Sequence, residues 1–387
     1  MILRAAAGAL TAALTVLAPH PTGAGETWLG EIRDGFDGRL VVQASAAGLR
    51  VRDSDLNPQN FLGLPEARLA LEVRPDLRLN VRRFRFGFQP RFAGRAFRTD
   101  RGSEDATWDT DTDAYVHAWW AQLRAASTLF VSYGRENLQW GPSYLLSPSN
   151  PFNRNNGQNN PQVDVEGLEY AQALWIPDAH WSVSLIANTG QGRLTTFETF
   201  ERAFAVKLDC TGGGVFAGAI GSIREDGTRG GVGGFAGWYP TDAVILHAEG
   251  RWEESGFDGL AGGVYTFESG LFVVAEYFRD GDGCRSESIA GCFNPFFGRS
   301  DPAEVLFRRH YIFTQITDPS PWTRGSLTAR WIAGLDDGSH RWIGLVEHEL
   351  GDRWIAFLVG VVDRGERRDE FGSLIEGAAM AGVTVAF

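Results

Sequence analysis

Asp242 to Glu254 reads DAVILHAEGRWEE. Val244, Leu246, Ala248, Gly250 and Trp252 fall on one side of an extended chain, and Ile245, His247, Glu249, Arg251 and Glu253 on the other. A period of two marks a strand with two different faces. Here one face is apolar and the other charged, as suits a strand between lipid and water. Leu327, Ala329, Trp331 and Ala333 oppose Ser326, Thr328 and Arg330 in the same way.

Followed outward in both directions, the alternation gives eighteen segments. They are 39–50, 66–74, 76–88, 113–123, 127–135, 165–176, 180–190, 203–209 and 213–224, then 229–239, 242–254, 259–268, 271–280, 308–318, 323–334, 340–350, 352–363 and 377–387. Most have about the ten residues that a tilted strand needs to cross a bilayer. The connections alternate. Short ones such as Arg74-Pro75-Asp76, Arg124-Ala125-Ala126, Cys210-Thr211-Gly212, Pro240-Thr241 and Gly351 take turns with a second set that includes 89–112, 136–164 and 281–307. Short turns on one side and long loops on the other is the parity of membrane barrels, and closure removes the sheet edges that lipid does not tolerate. The expected fold is all-β: a closed antiparallel transmembrane β-barrel of eighteen strands, with sixteen as the alternative. Trp175, Trp181, Trp238, Tyr239, Trp322 and Trp342 sit near strand ends, as in an interfacial girdle. The chain closes on AGVTVAF, with Val383, Val385 and Phe387 on one face.

Composition agrees. Hydrophobic residues make up 43% of the 387, yet mean hydropathy is −0.18, so apolar residues are dispersed among polar ones. A net charge of −12 argues against a nucleic-acid partner. The basic charge is almost all arginine; Lys207 is the only lysine. Residues 1–24 have the layout of a signal peptide: Arg4, an apolar run from Ala5 to Leu17, then Thr22-Gly23-Ala24. Residues 25–38 are expected to be an N-terminal periplasmic segment and 39–387 the barrel. Export implies an oxidising compartment. Cys284 and Cys292 are placed to form a local disulfide, which leaves Cys210 odd. The length does not accommodate twenty-two strands and a folded plug domain.

Three groups of residues carry functional expectations. Arg78, Arg82 and Arg85 form a polar row with Arg68, if Arg83 is a bulge. Together with His247, Glu249 and Arg251 they are expected to line the lumen, attracting anions or bracing carboxylates. Tyr133 to Asp164 reads YGRENLQWGPSYLLSPSNPFNRNNGQNNPQVD. Its prolines, aromatics and interspersed Leu145-Leu146 point to a packed loop folded into the lumen rather than a disordered outer loop, and its amides offer uncharged donors and acceptors. Arg135, Trp140, Gly141, Pro142, Tyr144, Asn150, Phe152 and Asn153 are its constriction candidates, with Trp140 and Tyr144 offering flat faces to solutes. Asp109, Asp111 and Asp113 alternate in an acidic stretch that suits a calcium ion at an outer loop or, more simply, a solvated charge run. No other cofactor is implied. His117, His247, His310, His340 and His348 are scattered, and no Ser or Cys lies in a nucleophile context, so the chain does not read as an enzyme.

Gly134-Arg135, Trp140-Gly141, Pro148, Asn150 and Phe152 resemble a motif of proteobacterial outer-membrane barrels of the porin-like type. The stretch is also similar to the tryptophan-glycine-proline loop of the capsule assembly protein Wzi family. The wider layout resembles eighteen-stranded substrate-selective porins and the alginate exporter family. The porin resemblance implies a cell outer membrane location and passive passage of small hydrophilic solutes. The Wzi resemblance implies binding, assembly or export of a surface polysaccharide. The expected partners are outer-membrane lipid and lipopolysaccharide, small solutes or polysaccharide, and the barrel assembly machinery through the C-terminal strand.

Overall fold

The computed structural model describes residues 28–100, 106–154, 165–193, 200–225, 230–254, 256–291, 306–320 and 324–387. The expected signal peptide, Cys292 and Trp322 lie outside these. A short helix, α1 (Trp28–Gly35), leads into β1 (Phe36–Val51). The next strands are β2 (Ala67–Val81), β3 (Phe84–Thr99), β4 (Thr107–Arg124), β5 (Leu129–Glu136) and β6 (Leu168–Trp175). Then follow β7 (Trp181–Gly190), β8 (Ala203–Gly212), β9 (Val215–Arg224), β10 (Gly230–Thr241), β11 (Val244–Glu253) and β12 (Gly256–Thr266). The last are β13 (Phe272–Arg279), β14 (His310–Asp318), β15 (Gly325–Gly334), β16 (His340–Glu349), β17 (Trp354–Arg364) and β18 (Ile375–Ala386). Each strand pairs antiparallel with its neighbour in sequence, and β1 pairs with β18, closing an 18-stranded barrel.

The outward face is apolar. Val131, Leu185, Val206, Leu246 and Leu358 are all among its exposed large side chains, and Trp175, Trp181, Trp238, Trp342 and Trp354 mark strand ends. Within β11, Leu246 and Trp252 are exposed while His247, Glu249 and Arg251 are buried, as the alternation requires.

Four sequence expectations are corrected. Residues 89–112 are not one long loop, because β3 runs to Thr99 and β4 starts at Thr107. Arg74-Pro75-Asp76 is not a turn, because β2 continues through it; the turn is Arg82-Arg83, with Arg82 at φ 53. The register places Pro75 opposite Pro90, where neither residue has an N–H to donate. Arg91 fills that gap: its Nη1 donates to Pro75 O at 3.2 Å, Pro90 O at 3.1 Å and Asp76 Oδ1 at 3.0 Å. Cys210-Thr211-Gly212 and Pro240-Thr241 lie in strands, and the turns fall one step later at Gly213-Gly214 and Asp242-Ala243.

The fourth correction concerns the interior, which is not uniformly polar. From β12 to β17 it carries Leu260, Val274, Phe278, Phe313, Ile332 and Phe357, all buried in one cluster with Leu145. Leu145 belongs to the loop after β5. The wall is apolar there because it meets protein rather than water.

Candidate functional site: the inward loop and the lumen beside it

The loop after β5 is folded on itself before it meets the wall. Asn150 Oδ1 accepts from the N–H groups of Phe152 at 3.0 Å and Asn153 at 3.3 Å, while its Nδ2 donates to Leu138 O at 2.7 Å. Trp140 Nε1 donates to Ser149 Oγ at 3.2 Å, and Trp140 O lies 2.9 Å from Ser147 Oγ. Gly141 has φ +82, and a Cβ there would overlap the Glu249 carboxylate. Glycine is therefore required twice over, for the left-handed backbone and for the close approach. Leu138, Trp140 and Phe152 pack on Leu168, Tyr170 and Ile186 of the β6–β7 wall. Trp140 is thus a half-buried packing residue, with Phe152 edge-to-face against its ring.

Two wall carboxylates hold the loop inside the barrel. Glu249 of β11 accepts from Ser143 Oγ at 2.6 Å, Ser147 Oγ at 2.5 Å, and Ser149 N and Oγ at 3.0 and 2.6 Å. Glu276 of β13 accepts from the N–H groups of Tyr144 at 2.7 Å and Leu145 at 2.8 Å and contacts His247 Nε2 at 2.9 Å. A buried carboxylate is tolerated only when donors surround it, and here the loop supplies them. At its far end Arg154 donates to Asp258 at 2.6 Å. His247, Glu249 and Arg251 therefore lie on the lumenal wall but beneath the loop; all three are buried. Lys207 of β8 also points here. It pairs with Asp209, and its Nζ lies 5.6 Å from the Trp140 ring centroid and 5.4 Å from that of Phe235. A lone lysine in the sequence carried no pattern from which this could be read.

The wall of β1–β3 is different. Its lumenal face carries Arg39, Arg68, Arg74, Arg78, Arg85, Arg91 and Arg95 against Asp37, Glu72 and Asp76. Arg74 pairs with Glu72 at 2.6 Å and Arg91 with Asp76 at 3.0 Å, while Arg95 is 4.0 Å from Glu72. Arg78 and Arg85 are exposed, and among the described residues no carboxylate pairs with them. Arg82 is not in this row: it sits in the turn and pairs with Glu31 of α1 at 2.7 Å. Arg135 is not in the loop either. It lies on the outward face of β5, opposite Glu169. Asp109, Asp111 and Asp113 are on β4, on the lumenal side of the long-loop rim. Alternate positions on a strand stay about 6–7 Å apart, and Asp113 pairs with Arg193 at 3.2 Å. Among the described residues no three groups converge as metal ligands. Cys284 is disulfide-bonded and Cys210 is free.

The long-loop mouth is knit together by contacts that alternation gave no hint of. Arg308 pairs with Asp337 at 2.8 Å, both buried. Glu370 accepts from Phe307 N at 3.0 Å, Arg308 N at 3.1 Å and Tyr311 Oη at 2.6 Å. Arg52 donates to Gly365 O and Gly372 O, each at 2.9 Å, and Ser54 Oγ to Ser373 O at 2.5 Å. Burial pushes the Glu370 carboxyl up to about 7. Asp337 is held below the usual carboxylate range by its hydrogen bonds and by Arg308, against the effect of its own burial.

No family model and no curated protein matches the chain. Solved structures do. OccK11 (OpdR) of Pseudomonas aeruginosa is similar with a TM-score of 0.58 at 11% identity, over 92% of this chain and 96% of its own. OprD of the same organism gives 0.56 at 10%, over 92% and 95%. Wzi, an outer membrane protein involved in group 1 capsule assembly in Escherichia coli and a carbohydrate-binding β-barrel, gives 0.57 at 8%, over 91% and 85%. The fold is that of the outer-membrane β-barrels. At these identities the likeness is one of fold, and the site must be judged on its own geometry.

Proposed function

We propose that the protein is an outer-membrane channel for passive passage of small hydrophilic solutes, with a preference for anions. The observation that carries this is the β1–β3 wall. The loop packs against β6–β7, β11 and β13, while the opposite wall keeps Arg78 and Arg85 exposed, with no carboxylate partner among the described residues, within a row that has seven arginines and three carboxylates. Fixed guanidinium groups along an aqueous path attract anions. The apolar exterior and the barrel neighbours support an outer-membrane location. Planar-bilayer recording tests the reading. Discrete conductance with an anion-selective reversal potential is expected, and the Arg78→Gln/Arg85→Gln variant should shift that potential toward cations. Absence of conductance in the folded protein would sink it.

A second reading, binding of a surface polysaccharide, is favoured by the knit mouth and the apolar filling of part of the lumen. Glycan retention by a non-conducting barrel would support it over the channel.

A further inference from the structure

The outward face around β5 and β6 departs from the rest of the lipid belt in three respects. First, both strands have eight residues, short of the roughly nine to eleven that cross hydrocarbon. β13 is also eight, but its neighbours have eleven and nine; β5 and β6 are adjacent, so the wall itself is low. β5 pairs with β4 only from Trp119 to Arg124, although β4 has eighteen residues. Second, Arg135 and Glu169 form an ion pair at 2.9 Å on the outward side, with Arg135 Nη1 also donating to Val116 O at 2.9 Å. A charged pair is costly against acyl chains and is ordinarily turned inward. Third, a hollow of about 910 Å³ lies in the same face. Ala171, Ala173 and Ala187 are the small residues of its lining, and Leu185, Phe204, Val206 and Ile223 stand up on its β7–β9 side as a ridge, 54%, 46%, 52% and 48% exposed.

We propose that this face is the contact between two copies of the chain, related by a two-fold axis along the membrane normal. A two-fold contact must be self-complementary. This face offers a hollow and a ridge at the same height on neighbouring strands, and both signs of charge in one pair. Rotation about an axis between them sets the ridge of each copy into the hollow of the other. The contact replaces lipid where the strands are short and where the Arg135–Glu169 pair would otherwise meet acyl chains. Surrounding lipid satisfies neither need.

The test is the mass of the purified barrel in detergent, by light scattering, and its copy number in nanodiscs, by stepwise photobleaching. Two copies are expected. Ala173→Trp with Ala187→Trp fills the hollow and should give one copy, with folding checked by heat-modifiable gel mobility. Ala248→Trp, an outward substitution on β11, should leave two. A wild-type monomer, a trimer, a monomer that co-purifies with tightly held lipid, or a dimer that survives the filled hollow would each overturn the proposal.

Discussion

Gly141 concentrates the design of the inward loop at one residue. Its left-handed backbone and its contact with Glu249 both exclude a side chain. Gly141→Ala should therefore cost about 1–2 kcal/mol for the backbone, plus the displacement of the carboxylate. The expected outcome is a lower melting midpoint in detergent and noisier single-channel current. Glu249→Ala acts on the other partner. It removes the acceptor shared by Ser143, Ser147 and both Ser149 donors, and leaves Ser147 only Trp140 O, a loss of roughly 3 kcal/mol. The loop should then leave the wall, and conductance should rise; unchanged conductance would mean that the loop is held by its apolar contacts instead. The sequence made Gly141 conspicuous within its Trp-Gly-Pro turn, and the alternation made Glu249 lumenal. That the two touch was not legible, because they are more than a hundred residues apart and nothing local links them.

Elements were legible where their signal is local. β11 could be read from its own thirteen-residue stretch, since a strand between two media writes both faces into one run. The Arg82-Arg83 turn was not. Leu77, Leu79 and Val81 precede it and Phe84, Phe86 and Phe88 follow, so two arginines in a turn look like a slipped strand. Pro75 then drew the turn to itself, although Arg91 repairs the ladder there. The mouth was also illegible, because its order comes from single buried charges in irregular segments. It has a pH signature. The folded mouth holds Glu370 protonated up to about 7, against an ordinary 4.5. Between those values the unfolded segment has lost its proton and the folded one has not, so stability falls as pH rises. It is full below 4.5, declines to about 7 and is flat above, a change of at most about 3 kcal/mol. The Asp337 contribution runs the other way but below its ordinary 3.8, outside this window. Hydrogen exchange at the Phe307 and Arg308 amides, corrected for intrinsic rate, should accelerate from pH 5 to pH 8, and Glu370→Gln should remove the difference.

On the scale of the whole molecule, the lumen is divided. One part of its wall is a core in the sense of a soluble protein, and the β1–β3 part is a charged surface. The sequence disclosed the second and hid the first, because an apolar residue facing inward is indistinguishable from one facing lipid until the loop is seen beside it. The division also orders the charges: arginines on the lumenal face of β1–β3, and Asp109, Asp111 and Asp113 at the rim. Asp109→Asn with Asp111→Asn should therefore increase anion selectivity, the opposite sign to the loss expected on neutralising Arg78 and Arg85. Both shifts should shrink at molar salt, where the Debye length is about 3 Å. Reversal potentials at two ionic strengths check both.

The closing seam sets a timetable for assembly. Leu40 and Phe387 exchange backbone hydrogen bonds at 3.2 and 2.9 Å, so the ring shuts only once β18 has met β1. The loop leaves the wall at residue 136, whereas its two anchors lie at 249 and 276. In a chain that curls strand by strand, the loop emerges before there is anything to hold it. Contacts this distant in sequence form slowly. The serines and backbone donors from Ser143 to Ser149 then wait for the growing arc to bring the carboxylates round, and the lumen is furnished only as the circle nears completion.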